Sequence, residues 1–398
     1  MKTQRLYYDD AYQHQFSAEV IASRPGWVQL DRTAFYPEGG GQPADQGWLN
    51  ELAVTDTQVD EQGAIWHQVA ESVPVGTVVS GRIDWTRRFD HMQQHSGQHV
   101  LSQAFWQLYQ ASTVGFHLGE QLVTIDLDQP DLSDADLLQA EELANAVIRS
   151  SRPVVARFVT ADKLPLEELR KLPKVTEDIR LVAVEGFDIC PCGGTHVRDL
   201  GDVGLLKLLS WEKRRGNLRV SFVAGRRAYA DYREKHQLLQ QLSSTLSQPV
   251  MQVGAGVAKL MEKIDELERQ LKLMQVERIR QEANRLLADS PRIGQVAVIC
   301  QHYDLQWTLE QIKDLVAYLL AQGSVVAICA IAEESFRLVL GVGPESGLHA
   351  GNLLKQVVGN HSGKGGGSPQ LAQGMVPLQA GEHALSELKK AVLDGIKQ

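Results

Sequence analysis

Apolar and polar residues alternate through the first 85 positions of the chain. The runs VIASRPGWVQL, WLNELAVTDTQVD, AIWHQVA and TVVSGRIDW keep a period of two, and Gly, Pro and Asp turns separate them. Strand side chains point alternately to the two faces of a sheet, so the pattern predicts short, half-buried strands. Residues 1–85 therefore read as a small β-barrel or sandwich, interrupted once by the glycine-rich loop FYPEGGGQPADQG at 35–47. From Thr86 to about Gln110 the period becomes helical. Another helix is predicted from Asp131 to Arg149, with acidic residues early and Arg149 last, as the helix dipole favours. RPVVARFVT, IRLVAVEGF and VGLLKLLSWEKRRGNLRVSFVAG read as strands. The region 86–235 is then α+β, with Cys190–His196 a loop between two strands.

A helical linker follows over 236–290. One segment covers 229–247, Pro249 with Gly254 and Gly256 breaks it, and a second runs from about 257 to 289. In the second, Leu260, Ile264, Leu267, Leu271 and Met274 recur at alternating spacings of four and three, a short heptad seam. The seam fits a helical hairpin packing on itself or a dimer interface, and fewer than three clean heptads favour the hairpin. Residues 291–398 alternate strand, helix and strand, a separate α/β domain with its own glycine-rich loop. The fold class is a multidomain α+β chain.

Composition narrows the setting. Hydrophobic content of 43% and charged content of 22% over 398 residues fit an ordinary globular protein of two or three domains. No apolar run approaches the roughly 20 residues that span a membrane, and the polar, aromatic start MKTQRLYYDDAYQHQF is no secretory signal. Four cysteines make no disulfide framework, which points to a reducing, cytoplasmic setting. A net charge of −9 argues against a surface that is basic overall. One local exception lies at 201–236, where nine Lys and Arg face four Asp and Glu, a net +5. Beside a metal site such a cluster suits phosphate contacts.

Half of the cysteines fall within three positions, in CPCGGTH at 190–196. Upstream, RRFDHMQQHSGQHVLSQAF carries His91, His95 and His99. Residues four apart share one helix face, so His91 with His95, or His95 with His99, can grip one ion. Cys192 and His196 supply a second half-site, with Cys190 as the alternative thiolate, and Gly193 and Gly194 allow the chain to turn sharply between them. A nitrogen and sulfur set of this kind suits Zn²⁺ better than Mg²⁺ or Ca²⁺. Ser96 follows His95, so the H-E-x-x-H metalloprotease arrangement is excluded. His117 reads as a packed or surface histidine, and Cys300 and Cys329 as inert core residues.

HSGQH followed by CGGTHV resembles the paired zinc motifs of the alanyl-tRNA synthetase editing domain and of its freestanding relatives, the AlaX trans-editing proteins. LDRTAFYPEGGGQPADQG is similar to the glycine-rich motif of the same proteins. GKGGGSPQLAQG resembles the glycine-rich loop of their C-terminal DHHA1 domain. No aminoacylation domain precedes the β segment, so the likeness is to the long form of AlaX. It implies a β-barrel-like domain at 1–85, a zinc-binding editing core at 86–235, a linker at 236–290 and a DHHA1-like domain at 291–398. The DHHA1 loop of the synthetase usually reads GGGRPDMAQGGG. Here Ser368 stands for the Arg, Gln370 for the Asp, and Met375 with Val376 for two glycines, so the tRNA contacts of that loop are not carried over; Lys364 can restore its charge.

The resemblance implies a hydrolase that deacylates mischarged tRNA(Ala), chiefly Ser-tRNA(Ala) and in some members Gly-tRNA(Ala). It implies one Zn²⁺ held by His95, His99, Cys192 and His196. Thr33 matches the family threonine that recognises the serine hydroxyl. A pocket built to hydrogen-bond a hydroxyl rejects a substrate lacking it by roughly 10⁴-fold or more, where an apolar pocket manages on the order of 10². Gln42 offers an amide to substrate or to backbone. Gly39, Gly40 and Gly41 permit close approach of the terminal adenosine, and Lys213, Arg214 and Arg215 are placed to meet acceptor-stem phosphates. A homodimer through the linker or the DHHA1-like domain stays open. So do two rival functions, an RNA-binding module with a structural zinc and a metallohydrolase of small esters or amides.

Overall fold

The computed structural model describes residues 3–166, 169–173 and 178–396, and the chain forms two compact units that meet at Ser244 and Thr245. The first unit begins with a closed six-stranded barrel. Its strands are β1 (Gln15–Arg24), β2 (Trp27–Leu30), β3 (Gly47–Leu49), β4 (Leu52–Val59), β5 (Ile65–Val69) and β6 (Val78–Ile83), arranged β1-β2-β5-β4-β3-β6. Alternation drives the closure. Phe16, Ala18 and Val20 of β1, and Val79 and Ile83 of β6, turn inward and bury. Gly81 is needed between them, since a Cβ there would lie 2.3 Å from the Phe16 ring.

Helix α1 (Trp85–Tyr109) leaves the barrel directly. The Asp84 carboxylate caps it by accepting from Arg87 N at 3.2 Å, and Gln110 ends it in the left-handed conformation. From Arg88 to Ser102 almost every side chain is buried, although many are polar. Most of their polar groups are satisfied, several by other elements; the exception is the buried His91 Nδ1, which has no partner among the described residues. Gln94 donates to Ala224 O at 2.8 Å and accepts from Ala224 N at 2.7 Å, while Gln93 donates to Asp202 O. Arg88, fully buried, ion-pairs with Asp45 and donates to Ala11 O and Ala34 O, which ties α1 to the barrel.

Two sheets flank this helix. One has the order β12-β13-β8-β7, from β7 (Thr113–Leu118), β8 (Val123–Leu127), β12 (Leu206–Arg214) and β13 (Asn217–Ala224), all antiparallel. The other joins β9 (Val154–Val159), β10 (Ile179–Val184) and β11 (Asp188–Pro191). Helix α2 (Asp134–Arg149) starts at Ser133 with a capping box closed by Asp136, three residues later than the predicted start. Met92, Leu101 and Phe105 of α1 join Ile125, Val220 and Phe222 in one core. Helix α3 (Gly225–Leu246) leads out of the unit.

The second unit opens with α4 (Val253–Asp289), 37 residues long. Gly254 and Gly256 lie inside this helix; the break falls over 247–249, with Ser247 at φ +50° and Pro249 ending it. The heptad seam is not packed in a hairpin, as Leu260, Ile264, Leu267, Leu271 and Met274 are all at least half exposed. Only the C-terminal part of α4, through Ile279, Ala283 and Leu286, packs on a core. That core belongs to a six-stranded sheet of order β14-β15-β16-β17-β19-β18: β14 (Arg292–Ile293), β15 (Val296–Tyr303), β16 (Val325–Ala332), β17 (Phe336–Val342), β18 (Lys364–Gly367) and β19 (Leu371–Val376). Helix α5 (Leu309–Ala321) crosses between the parallel pair β15 and β16. Helices α6 (Ala350–Asn360) and α7 (Gly381–Ile396) cover the opposite face. With helices on both faces β16 is buried almost throughout, which explains its unbroken apolar run VVAICAIA. The Ser368 hydroxyl accepts from Leu371 N at 3.0 Å, so this residue builds the β18–β19 turn. No described helix is long and apolar enough to cross a membrane.

Candidate metal centre

Four side chains from two remote stretches converge in the first unit. His95 and His99 stand one turn apart on α1, and Cys192 and His196 come from the loop after β11. One ligand atom from each lies within 4.8 Å of all the others. Cys192 Sγ is 3.3 Å from His95 Nε2 and 3.3 Å from His196 Nε2. A tetrahedral shell of three nitrogens and one sulfur has ligand–ligand edges of about 3.4–3.6 Å, so the two sulfur–nitrogen distances are close to those a zinc-sized ion would set.

The outward nitrogens of the three imidazoles are held. His95 Nδ1 donates to Gln42 Oε1 at 2.9 Å. That amide is fixed in turn, as Gln42 Oε1 accepts from Thr195 N at 3.1 Å and Gln42 Nε2 donates to Thr195 Oγ1 at 2.8 Å. His99 Nδ1 faces the Asp188 carboxylate at 3.3 Å, and Arg170 holds that carboxylate from its other side at 3.1 Å. His196 Nδ1 meets Ser96 Oγ at 3.2 Å. Fixing Nδ1 in this way leaves the Nε2 lone pairs for the ion, the usual supporting arrangement of metal-binding histidines.

The electrostatics agree with this donor set. Burial alone would raise the Cys192 thiol, but His95, His196 and His99 outweigh it and hold it well below the ordinary thiol range. Burial opposes charge on His99 too, yet the Cys192 thiolate and Asp188 push it up to about 9. His196 falls to about 3, chiefly because burial disfavours its cation. A thiolate ringed by imidazoles has the charge and softness that a divalent ion of the zinc type satisfies.

Glycine 194 is required, though not for a turn, since neither Gly193 nor Gly194 adopts a positive φ. A Cβ on Gly194 would lie 2.2 Å from the His95 ring, so only glycine lets the loop reach the helix. Gly41 has the same task one layer out. It has φ +85°, and a Cβ there would lie 2.7 Å from Phe116, whose ring packs 5.1 Å from that of His95.

The remaining residues singled out from the sequence fall into place around this cluster. Cys190 lies on β11, outside the group, and burial pushes its thiol up to about 12. His91 and His117 line a different cavity of about 660 Å³, and burial drives His91 down to about 3. Thr33 is fully buried. His67 Nδ1 donates to Val28 O, so its Nε2 accepts the Thr33 hydroxyl proton at 2.8 Å; Thr33 Oγ1 in turn accepts from Phe35 N. With its proton given to His67, the Thr33 hydroxyl keeps one lone pair beyond the bond from Phe35 N, so toward a substrate hydroxyl it could act only as an acceptor. Gln42 likewise turns its amide to His95 and Thr195 rather than outward. Gly40 lines a cavity of about 980 Å³ that Cys192 also lines, whereas Gly39 accepts a hydrogen bond from Tyr36 Oη.

Lys213, Arg214 and Arg215 sit at the tip of the β12–β13 hairpin. Lys213 pairs with Asp131 at 2.8 Å and Arg214 with Glu212 at 2.6 Å, both on the surface. The +5 counted over 201–236 is largely offset from outside the segment: Arg219 pairs with Asp126, Arg227 with Asp90 and Lys207 with Glu141. Sequence reasoning missed Ser96, Asp188 and Arg170 as supports. It also missed Arg180, whose Nη1 donates to Cys192 O at 2.8 Å and Gly194 O at 2.9 Å and so clamps the ligand loop. For Asp188 and Arg180 the only signal was a charge in a strand otherwise apolar; Ser96 and Arg170 had none.

Comparison with known proteins bears on all parts of the chain. Residues 3–87 match the family model of class II (A) tRNA synthetases, 179–220 that of the threonyl and alanyl tRNA synthetase second additional domain, and 294–394 that of the DHHA1 domain. The alanine–tRNA ligase of Thermococcus kodakarensis is 32% identical over 98% of this chain, which spans 43% of the ligase's length. The alanyl-tRNA editing protein Aarsd1-A of Xenopus laevis is 32% identical over 67% of this chain and 68% of its own. The alanyl-tRNA editing protein AlaX-L of Pyrococcus horikoshii is 32% identical over 97% of this chain and 98% of its own. With barrel, second additional domain and DHHA1 domain in that order, the chain belongs to the alanyl-tRNA editing family in its long, AlaX-L form.

Proposed function

We propose that this protein is an aminoacyl-tRNA deacylase that hydrolyses the ester of mischarged tRNA(Ala), chiefly Ser-tRNA(Ala) and also Gly-tRNA(Ala), with one bound zinc. The observation that carries the reading is the four-ligand cluster beside a cavity of about 980 Å³, with Cys192 common to both. Likeness to alanyl-tRNA editing proteins supports the choice of tRNA(Ala). His95, His99, Cys192 and His196 would hold the ion, and zinc there supplies a Lewis acid that polarises and orients the ester end. The chain's own residues do the rest. Gln42, Asp188 and Ser96 keep the imidazoles in the donating tautomer. Arg180 fixes the ligand loop against the cavity wall, and Phe116 covers His95. Thr33 keeps the barrel wall in shape through His67. The exposed pairs of Lys213 and Arg214 are worth little to stability, so both cations are available to phosphates of the acceptor stem, together with Arg215.

Deacylation of Ser-tRNA(Ala), measured with and without chelator and with Ala-tRNA(Ala) as control, tests the proposal. The expected result is fast loss of the seryl ester, slow loss of the alanyl ester, and recovery of the chelated enzyme by zinc. Binding of tRNA without turnover would leave a structural metal instead, and hydrolysis of both esters alike would remove the editing role.

A further inference from the structure

We propose that Tyr8 and Phe158 form a stacking platform for the terminal nucleobase of the RNA whose ester reaches the metal cluster. The inference rests on the editing reading above and adds how the RNA end is held. Phe158 lies on β9 and is 52% exposed. Its one recorded ring partner among the described residues is Tyr8, at 5.5 Å and 72°. Both rings line the cavity that contains Cys192. Tyr8 Oη lies 3.5 Å from the point where a Cβ of Gly193 would sit, so the aromatic pair begins where the ligand loop ends.

Three cations, Arg5, Lys171 and Arg180, share the cavity lining with two carboxylates, Asp9 and Asp178. The Arg180 guanidinium lies 5.0 Å from the Tyr8 ring centre and that of Arg5 at 5.7 Å. Arg180 is 8% exposed, and its buried Nε has no hydrogen-bond partner among the described residues. A buried N–H without an acceptor is costly, and here it belongs to a residue that lines the cavity and awaits an oxygen. Aromatic faces among cations are the general recognition surface for single-stranded nucleic acid ends, since every base has a π-face and every linkage a negative charge. The cavity, at about 980 Å³, takes a nucleoside with its ester. Phe116, packed on His95, closes the metal end, so the base lies toward Phe158.

The test uses tRNA(Ala) with 2-aminopurine as its terminal base and the full-length protein. Stacking quenches the probe in the wild type, and Phe158→Ala removes the quench while Phe158→Trp keeps it. For Ser-tRNA(Ala), Phe158→Ala raises KM by roughly 5- to 150-fold with kcat little changed. A seryl substrate abasic at its last nucleotide shows the same penalty on the wild type, with little added by the substitution. Tyr8→Leu repeats the pattern, and zinc content and thermal midpoint check that either variant is intact. A quench that survives Phe158→Ala, or an equal penalty on intact and abasic substrates, overturns the platform. The quench needs no turnover. A Phe158-dependent quench without hydrolysis therefore sinks the editing reading alone, and hydrolysis with a Phe158-independent quench sinks the platform alone.

Discussion

Two long helices in this protein invert the ordinary rule of burial. Helix α1 carries the polar run QQHSGQH and is buried along most of its length, whereas α4 carries an apolar heptad seam and exposes it. Polar burial on this scale is tolerated only when each group has a partner. Gln93, Gln94, Gln98 and Ser96 find theirs on other elements or within the helix. His95 and His99 are the informative pair, because each places a ring nitrogen within 4.8 Å of a ligand atom of Cys192 and of His196. Buried polarity in α1 therefore marks a cluster that could hold a metal ion. Exposed apolarity in α4 marks a surface on which the fold of its own unit does not depend.

The sharpest way to break this comparison is at the cluster. Cys192→Ala should strip the metal during purification and lower Ser-tRNA(Ala) hydrolysis by more than the roughly 10- to 100-fold that a supporting residue costs. Zinc content per chain and single-turnover rates measure both. A variant that keeps metal and rate would show that α1 is buried for packing alone.

The next largest effect belongs to the supports. Gln42→Leu frees His95 Nδ1, and Asp188→Asn weakens the hold on His99 Nδ1; each should cost about 10- to 100-fold in zinc affinity. Competition with a calibrated chelator reads it. Gln42→Leu also leaves Thr195 without its amide partners, so its loss should exceed that of Asp188→Asn.

How much of this was legible beforehand follows from chain distance. The two half-sites showed in their spacing, one helix turn and one short loop, but the choice of His95, His99, Cys192 and His196 over His91 and Cys190 came from the resemblance; the structure brings those four together. The barrel showed in its alternation, and the six-stranded sheet in its apolar runs. The supports did not show, since Asp188 meets His99 and Gln42 meets Thr195 only through folding. Charge counting failed for a related reason. The partners of Lys207, Arg219 and Arg227 lie at 141, 126 and 90, far outside the segment counted. The role of Gly194 was misjudged because a glycine that admits a ring looks, in sequence, like one that admits a turn.

A third test concerns acid stability in the barrel wall. Burial lowers His67 to about 4, below its ordinary 6.5, with the Val28 carbonyl opposing. Above pH 6.5 the ring is neutral folded or unfolded, and its contribution is complete. As pH falls from 6.5 through 4 the unfolded chain takes up a proton that the folded chain refuses, so up to about 3 kcal/mol of stability is lost. His67→Gln should flatten urea-unfolding midpoints across that window. Thr33→Val leaves His67 Nε2 without its donor and should cost about 1–3 kcal/mol at neutral pH. A fall in seryl hydrolysis that only tracks the folded fraction would assign Thr33 to the barrel wall, whereas a loss of rate in fully folded material would assign it to the substrate.

The smallest effect is expected on α4. Ile264 and Leu267 are 53% and 50% exposed, so they lose little contact on substitution. Ile264→Lys with Leu267→Lys should change the thermal stability of dilute protein by no more than about 0.5 kcal/mol per site, the ordinary range for surface positions. The same pair of lysines in α1, at Val100 and Leu101, which are fully buried, should prevent folding. The discriminating variable is concentration. If the seam is free surface, midpoints of wild type and double-lysine variant coincide at every concentration. If two copies pair through it, the wild-type midpoint rises with concentration and the variant's does not, because only association makes stability depend on protomer concentration.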